Sequence, residues 1–424
     1  MSSTNSGSAT TSRASQPHDT QRLRTALAAL SLRMSPQHES SGPQIRALFF
    51  LGFVFLGGHG NYFSIWLDHV GWDGAMIGWL DGARYACIVL FPVFWGRLAD
   101  RLGDPVYTLR LVTMGSFVAF LTVLWTSSFL PLLIAMVLYS AFRVGFVPLI
   151  DTLTITHVEQ QGGDYGRFRI WGSWGFVLGG FLLAGAVTWA GRDAIPPVLV
   201  GLLGLTVLQT FWMPRHRSRQ QQSPGKTLPA LRQVPGLPAF LTVTFFWRLT
   251  GQGLFLFLPI HLSDLGVSDS IMPIYWTIGV LSEILLLRNA PRWFGRFDPK
   301  PVLVGCFALC VVQYSLTAII ENPAWLLLVL TLHGFTFGLT YYTCVLWLGR
   351  HVPQEHRNTA QAVFQSLTFG VGGCLSSVIA GYLFKTGRGP TLFAVAGIAS
   401  VATVIAALVL LRRETPPPAS PQSD

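Results

Sequence analysis

Long apolar stretches alternate with short polar ones along most of this chain. Between Arg46 and Leu411 each apolar stretch has about 20 residues, which is the length that a helix needs to cross a bilayer. A backbone in lipid must satisfy its polar groups within one segment, so such stretches form helices. The pattern predicts an all-α membrane protein with twelve transmembrane helices, at residues 46–69, 74–95, 106–128, 129–152, 166–189, 194–213, 237–261, 270–289, 300–320, 323–348, 358–383 and 389–411.

Composition supports this assignment and changes how the charge is interpreted. Hydrophobic residues make up 51% of the chain and charged residues 11%, and 43 glycines allow helices to pack closely. A net charge of +10 would suggest nucleic-acid binding in a soluble chain, but here the charge lies in loops, so no nucleic-acid partner is expected. The five cysteines fall within apolar stretches without metal-ligand spacing, which predicts small buried thiols.

The basic residues of the loops lie almost entirely on one side of the predicted bilayer. The opposite side holds only Arg192, Lys385 and Arg388, and by the positive-inside rule the arginine-rich side is cytoplasmic. An even number of helices independently places both termini on the same side. We therefore expect a multi-pass protein of a bacterial inner membrane with both termini in the cytoplasm.

Polar segments divide the chain into domains. Residues 1–45 lack a signal-peptide core and are predicted to be a disordered cytoplasmic tail, in which 21–33 can form an amphipathic surface helix and Met34 is an alternative start. A basic central loop at 214–236 separates two six-helix bundles, which cover 46–213 and 237–411. Residues 412–424 form a second cytoplasmic tail.

The two halves carry a similar loop after their second helix. Residues 96–103 read Gly-Arg-Leu-Ala-Asp-Arg-Leu-Gly, and residues 292–298 read Arg-Trp-Phe-Gly-Arg-Phe-Asp at the matching place. Short basic loops can look alike by chance, but the shared position and the Gly, Arg and Asp content favour an internal repeat. Two related six-helix bundles around a central pathway are typical of transporters.

The first of these loops resembles the signature of the major facilitator superfamily. The matching residues are Gly96, Leu98, Ala99, Asp100, Arg101 and Gly103. The resemblance implies the two-bundle fold of that superfamily and a latch at the cytoplasmic face, in which Asp100 caps a helix or pairs with a neighbouring basic residue. The superfamily usually continues with basic residues where this chain has Asp104 and Pro105, which departs from the pattern of the latch.

A narrower resemblance concerns the branch that contains the phenylpropionate permease and is distantly similar to galactoside and nucleoside proton symporters. It rests on residues 62–67, 147–151, 164–173, 279–283 and 332–334, and it extends over nearly all of 46–411. The branch places a glutamate at the position of Glu283. This resemblance implies a proton-coupled transporter and leaves the substrate open.

Two titratable residues at membrane depth are candidates for proton coupling, since ionisable groups there are costly and usually functional. Glu283 in the eighth helix is the candidate proton carrier, because apolar surroundings favour the neutral form of a carboxyl group. A static pair between Glu283 and an arginine is the alternative. His333 in the tenth helix belongs to a proton relay or is an ordinary core histidine.

Three arginines at membrane depth indicate an anionic substrate. Arg143 in the fourth helix and Arg248 in the seventh have no acidic residue within one turn, and a guanidinium group pairs well with a carboxylate. We expect these two to clamp the substrate, unless one of them pairs with Glu283 across helices. Arg84 lies three residues from Asp81 on one helix face, which predicts an ion pair with a structural or gating role.

Further polar residues near the predicted pathway complete the candidate site. The additional substrate-binding candidates are Asn61, Tyr62, Gln252, Tyr341 and Gln365. A charge network at the cytoplasmic surface is the candidate inner gate and contains Asp151, Arg167 and Arg169. Residues Gly96, Asp100 and Arg101 of the signature loop are assigned the same structural or gating role.

The motifs that the sequence lacks also restrict its function. It has no Walker lysine motif, no Ser–His–Asp set and no metal cluster, so we expect no enzyme activity, no cofactor and no metal. Residues Gly175 and Gly179 form a glycine pattern that predicts close helix packing rather than a nucleotide loop, since no strand precedes it.

These patterns together predict a monomeric secondary active transporter in the lipid bilayer, whose partners are protons and a small-molecule substrate. It takes up a small organic anion, for example an aromatic carboxylate, together with a proton by alternating access. The alternatives are symport of a sugar or nucleoside and export of a drug or metabolite. The charge of the substrate distinguishes the first alternative from anion uptake, and the direction of transport distinguishes the second. A membrane sensor is a further alternative, which the short polar tails disfavour.

Overall fold

The computed structural model describes residues 41–214, 231, 233–294 and 297–411. The predictions about the N-terminal tail, nearly all of the central loop, part of the 292–298 loop and the C-terminal tail lie outside these residues. In the described part of the chain every regular element is a helix, and no strand occurs.

The first six membrane helices follow the predicted spans and mostly extend beyond them. They are α1 (Gly42–His69), α2 (Gly74–Leu102), α3 (Pro105–Leu124), α4 (Phe129–Gln161), α5 (Tyr165–Ala190) and α6 (Arg192–Phe211). Helix α3 ends and α6 begins with a 3-10 turn, and α4 is interrupted at Val144 and Gly145. We call these six helices the N-half.

The remaining helices form the C-half. They are α7 (Leu237–Asp264), α8 (Met272–Trp293), α9 (Pro299–Ile319), α10 (Pro323–His351) and a long run, Arg357–Leu410. The backbone of this run leaves helical geometry at Gly387 and Arg388, so we treat it as α11 (357–386) and α12 (389–410). Among the described residues ten helices are long and apolar enough to cross a membrane when the run Arg357–Leu410 is counted once. Helix α8 is not one of them, since Glu283 and Arg288 lower its hydropathy.

Aspartate and glycine set the turn between α2 and α3. Asp104 caps α3, because its side chain accepts hydrogen bonds at 3.0 Å from the backbone N–H groups of Val106 and Tyr107. Gly103, with φ +62°, ends α2 in the left-handed conformation that favours glycine. The capping role considered for Asp100 is therefore wrong. Asp100 lies exposed within α2, and its side chain has no hydrogen bond or ion pair with any described residue.

Most helix contacts stay within one half. In the N-half α1 packs against α5 and α6, and α4 packs against α2 and α3; in the C-half α7 and α9 pack against the 373–410 part of the long run, and α8 packs against α10. Four pairs join the halves, namely α1 with α7, α1 with α8, α2 with α11, and α5 with α8. The central space is therefore bounded by helices of both halves.

Close packing of α1 against α5 depends on two glycines. A Cβ atom at Gly179 would lie 1.9 Å from the backbone oxygen of Val54, and one at Gly175 would lie 2.2 Å from that of Phe50. Both distances are far below van der Waals contact. The close-packing interpretation of residues 175–179 is confirmed.

We expect Gly179→Val to prevent assembly of a stable protein, because the α1 backbone would have to move away from α5. The matched control is Gly185→Val on the same helix, where nothing lies within 4 Å of an added Cβ atom. Fluorescence-detected size exclusion and thermal unfolding in detergent measure the effect. Equal unfolding temperatures for the two variants would contradict this account of the α1–α5 contact.

Candidate functional site

A central cavity of about 500 Å³ lies between the two halves. Helices α1, α2 and α5 line it from the N-half, and α7, α8 and α10 from the C-half. Its volume suits one small ligand, and its walls are mainly apolar. The aromatic rings of the lining belong to Phe53, Phe63, Tyr85, Phe176, Phe255, Trp276 and Phe337.

Asp81 is the centre of a buried polar network beside this cavity. Its carboxylate accepts hydrogen bonds from Arg84 at 3.0 Å, from the Gln252 amide at 3.0 Å and from the Ser377 hydroxyl at 2.8 Å. The ion pair between Asp81 and Arg84 confirms the pairing predicted from their spacing. Since the carboxylate has three donors from α2, α7 and α11, it ties the two halves together at mid-depth.

Arg248 lies behind the wall of the central cavity and does not line it. Its guanidinium group donates to the Gln252 carbonyl oxygen and, at 3.2 Å, to the Tyr85 hydroxyl. It lies over the rings of Phe255 and Phe369 at 5.0 and 4.9 Å, and only 4% of the residue is exposed. Arg248 thus contacts two residues that do line the cavity, Gln252 and Tyr85.

Arg143 is half-buried within the N-half. It donates to the backbone oxygen of Gly52 at 2.8 Å and stacks over the ring of Phe146 at 3.9 Å. It does not line the central cavity either. The structure therefore does not bring Arg143 and Arg248 together as the clamp that the sequence predicts, and neither pairs with Glu283.

Glu283 and Arg169 lie in the lining of the central cavity, on opposite halves. Within the described part of the chain the Glu283 side chain has no hydrogen bond or ion pair, and Arg169 is the charged group that acts on it electrostatically. The Arg169 guanidinium group stacks over the ring of Phe53 at 4.3 Å. Arg169, which was assigned to a gate at the surface, is thus part of the cavity.

The other predicted substrate-binding residues have partners away from the cavity lining. Asn61 donates to the Gly57 oxygen at 2.7 Å, Tyr62 to the Asp269 backbone oxygen at 2.5 Å, and Gln365 to the Tyr341 hydroxyl at 2.7 Å. Only Gln252 of that predicted set lines the cavity.

The predicted inner gate is not an ion-pair network in this structure. Asp151 accepts a hydrogen bond from the Tyr165 hydroxyl at 2.8 Å, whereas Arg167 is exposed. No ion pair within 4 Å joins Asp151 to an arginine among the described residues. Gly96 and Arg101 are likewise exposed in α2.

Two buried histidines line the central cavity, His333 as predicted and His59, which the sequence reasoning missed. His59 stacks on Phe63, with ring centroids 4.6 Å apart. The signal that singled out His333, a histidine inside an apolar helix, applies equally to His59. His333 directly precedes a π-helical segment of α10 (Gly334–Leu339), and such segments are frequent at functional sites.

We call the membrane end with the α1–α2, α5–α6, α7–α8 and α11–α12 connections the distal face. Among the described residues every ion pair between the halves lies there: Arg388 with Asp68 at 2.8 Å, Lys385 with Asp73 at 2.9 Å, and Arg192 with Asp269 at 2.9 Å. These pairs hold the halves together at the distal end of the central cavity.

Arg388 is the most constrained residue of this distal ion-pair set. It pairs with Asp264 as well as Asp68, and it is the one non-glycine residue of the described chain with positive φ, at +55°. A backbone conformation with positive φ is strained for a residue with a side chain. The two ion pairs of Arg388 offset the energetic cost of this conformation.

The Lys385–Asp73 pair remains charged at physiological pH. A hydrogen bond from the Met76 backbone N–H, at 2.9 Å, and the ion pair with Lys385 hold the pKa of Asp73 below its ordinary value. The pair is therefore lost only when the pH falls through this lowered pKa.

We expect Asp68→Asn to loosen the distal face, because it removes one ion pair between the halves. The accessibility of the cavity is measured with Ser64→Cys, in the cavity lining, and a membrane-impermeant maleimide applied from the distal side. Labelling should become roughly 2–5-fold faster, because the ion pair contributes about 1 kcal/mol to the contact between the halves. Asp193→Asn is the control, since its partner His69 lies in the same half. Equal acceleration by both variants would contradict a specific role for the pair between the halves.

Comparison with known proteins adds to this geometry. The family model described as the MFS_1 like family matches residues 44–395. Similar proteins include the probable 3-phenylpropionic acid transporter of Escherichia coli (strain K12), 28% identical over 76% of this chain and 86% of that protein. The maltose permease of Geobacillus stearothermophilus is 25% identical over 86% and 93% of the two chains. The crystal structure of the nucleoside transporter NupG has a TM-score of 0.79 at 18% identity and covers 88% and 99% of the two chains.

These similarities confirm the predicted fold class and exclude an enzyme, because the relatives are membrane transporters. The family match spans nearly all of the described helices. The chain belongs to the MFS_1 like family of the major facilitator superfamily and is a multi-pass membrane transporter for small molecules.

Proposed function

We propose that this protein is a proton symporter that takes up a small organic anion with an aromatic or otherwise apolar body. The observation that carries the proposal is a carboxyl group without a partner, Glu283, which faces Arg169 across a cavity with aromatic walls. The name of one relative, the probable 3-phenylpropionic acid transporter, supports the same class of substrate.

The charges around the cavity favour an anion. Asp81 and Glu283 balance the two arginines of the lining, Arg84 and Arg169, while Arg143 and Arg248 lie nearby with no carboxylate within ion-pair distance. The charges of Arg143 and Arg248 are therefore not balanced, and they make the electrostatic potential around the cavity positive. An anion enters such a region more favourably than a neutral solute or a cation.

In this proposal Glu283 and the substrate carboxylate compete for Arg169, and this competition couples proton transport to anion transport. The ionised Glu283 attracts Arg169 and repels the carboxylate of the substrate. When Glu283 takes up a proton, Arg169 is available to the substrate as a charge-assisted donor. Proton and anion then bind together, and rocking of the two halves carries both across the membrane.

The charges of the loops support an orientation of the protein in the membrane. If the arginine-rich loops lie in the cytoplasm, the distal face is outside the cell. The ion pairs between the halves then close the outer end of the central cavity. Both termini then lie in the cytoplasm, as the positive-inside rule predicts. The protein acts as a monomer in this scheme, because one chain supplies every residue of the cavity.

A binding panel on the purified protein tests the substrate class. Thermal unfolding is measured with 3-phenylpropionate, its neutral amide, maltose and a nucleoside. We expect stabilisation by the acid at pH values where Glu283 can be protonated, and little by the amide. Stabilisation by maltose or the nucleoside alone would contradict the proposal and favour a symporter of neutral solutes.

A further inference from the structure

A second, much smaller cavity of about 10 Å³ lies behind the wall of the central one. We call it the side cavity. His333, Phe255 and Phe337 line both cavities and separate them. The volume of the side cavity is about that of one water-sized probe, which is the smallest space that holds a buried water molecule.

Polar atoms without a protein partner surround the side cavity. The Arg248 Nε and His333 Nδ1 atoms are fully buried, and neither has a hydrogen-bond partner among the described residues. The Tyr314 hydroxyl lies at the same cavity. Buried polar atoms are costly without a hydrogen bond, and a buried water typically makes about three such bonds.

We propose that the side cavity binds one water molecule, which bridges Arg248 Nε, His333 Nδ1 and the Tyr314 hydroxyl. The Arg248 N–H group can only donate, so the water oxygen accepts this bond. The water then donates one hydrogen to His333 Nδ1 and the other to the Tyr314 oxygen. The two unpartnered nitrogen atoms, Arg248 Nε and His333 Nδ1, then each have a hydrogen-bond partner.

The proposed arrangement assigns a tautomer to His333. Because Nδ1 accepts a hydrogen bond, the ring proton is on Nε2, which is left for the central cavity. A second proton on Nδ1 would set an imidazolium against the Arg248 guanidinium group across one water, which is electrostatically unfavourable. His333 is therefore a hydrogen-bond donor to an oxygen of the transported solute, and Arg248 is a residue that positions it.

This inference rests on the proposed function for the identity of the solute, and it revises the assignment of His333 to proton coupling. Glu283 alone carries the proton in this view. The site of the water and the tautomer of His333 do not depend on any transport assay, so they can be tested separately.

The test is the nitrogen-15 NMR spectrum of protein labelled on histidine, with the His333 signals assigned by comparison with His333→Gln. We expect one neutral tautomer with the proton on Nε2. Gly251→Ala adds a Cβ atom 2.9 Å from the Tyr314 hydroxyl in the side cavity and should displace the water, so that both tautomers appear. Gly305→Ala, with open space around the added atom, should leave the spectrum unchanged.

A proton on Nδ1 of His333 in the wild-type protein would overturn the inference, and so would a spectrum that Gly251→Ala does not alter. Transport by His333→Gln separates this result from the proposed function. We expect a KM increase of about tenfold with proton-driven accumulation retained. Loss of accumulation with exchange retained would make His333 the proton carrier and overturn the inference, while proton symport itself would stand.

Discussion

Glu283→Gln is expected to abolish proton-driven accumulation of the anion and to preserve its exchange across the membrane. Glutamine resembles the protonated form of Glu283, so Arg169 remains available to the anion whether or not a proton is present. The loaded carrier can then reorient, but no proton gradient is coupled to it. In proteoliposomes with an imposed pH gradient, the concentration ratio should fall to about one, while exchange of labelled for unlabelled anion continues.

The matched control is Glu321→Gln, the same chemical change at an exposed position between α9 and α10. This variant should accumulate the anion as the wild type does. If Glu283→Gln accumulated the anion fully, Glu283 would not be the proton carrier. If it lost exchange as well as accumulation, the residue would have a structural role, as the static-pair alternative states.

Arg169→Gln is expected to raise the KM for the anion by about 10–100-fold, which corresponds to the loss of a charged hydrogen bond of about 1.5–3 kcal/mol. Arg169→Lys should recover part of this loss, because an ammonium group keeps the charge but not the forked geometry. Initial rates of uptake at several anion concentrations measure the effect. The maximal rate should change less than KM, since the contact is made in the bound ground state.

Arg167→Gln is the control for this experiment, because Arg167 lies two residues away on α5 and is exposed. Its KM should be that of the wild type. A KM that Arg169→Gln leaves unchanged would remove Arg169 from the binding site. A similar rise in KM for a neutral analogue of the anion would show that Arg169 shapes the cavity without contacting the carboxylate.

The membrane helices could be predicted from sequence because hydropathy is a local property. Each of the twelve predicted spans falls on a described helix, including α8, whose charged residues lower its hydropathy. The interruption of α4 at Val144 and Gly145 and the π-helical segments of α10 and α11 could not be predicted, since they depend on packing against neighbouring helices.

Membrane depth identified the charged residues, but rotation about the helix axis decides which of them line the cavity. The sequence favours Arg143 and Arg248 over Arg84 because Arg84 has an acidic neighbour within one turn, and it assigns Arg169 to a gate at the cytoplasmic surface. The structure instead packs both against aromatic rings and polar groups, where cation–π contacts and hydrogen bonds replace the ion pair. Sequence spacing carries no information about partners on other helices.

For the distal ion pairs the sequence does contain a signal. This signal is the set of three basic residues on the side that is otherwise poor in basic residues. Arg192, Lys385 and Arg388 were the exceptions to the one-sided charge distribution. All three pair with aspartates of the opposite half. Basic residues that break the positive-inside pattern are therefore worth testing as contacts between the halves of a transporter.

Simultaneous measurement of proton and anion uptake in proteoliposomes tests the central claim most directly. A pH-sensitive dye and a labelled aromatic acid report both fluxes after the acid is added on the distal side, without an imposed gradient. Our account predicts that protons enter with the acid in the wild-type protein, and that the proton flux disappears in Glu283→Gln while the acid still equilibrates. Acid uptake without proton movement in the wild type would contradict it.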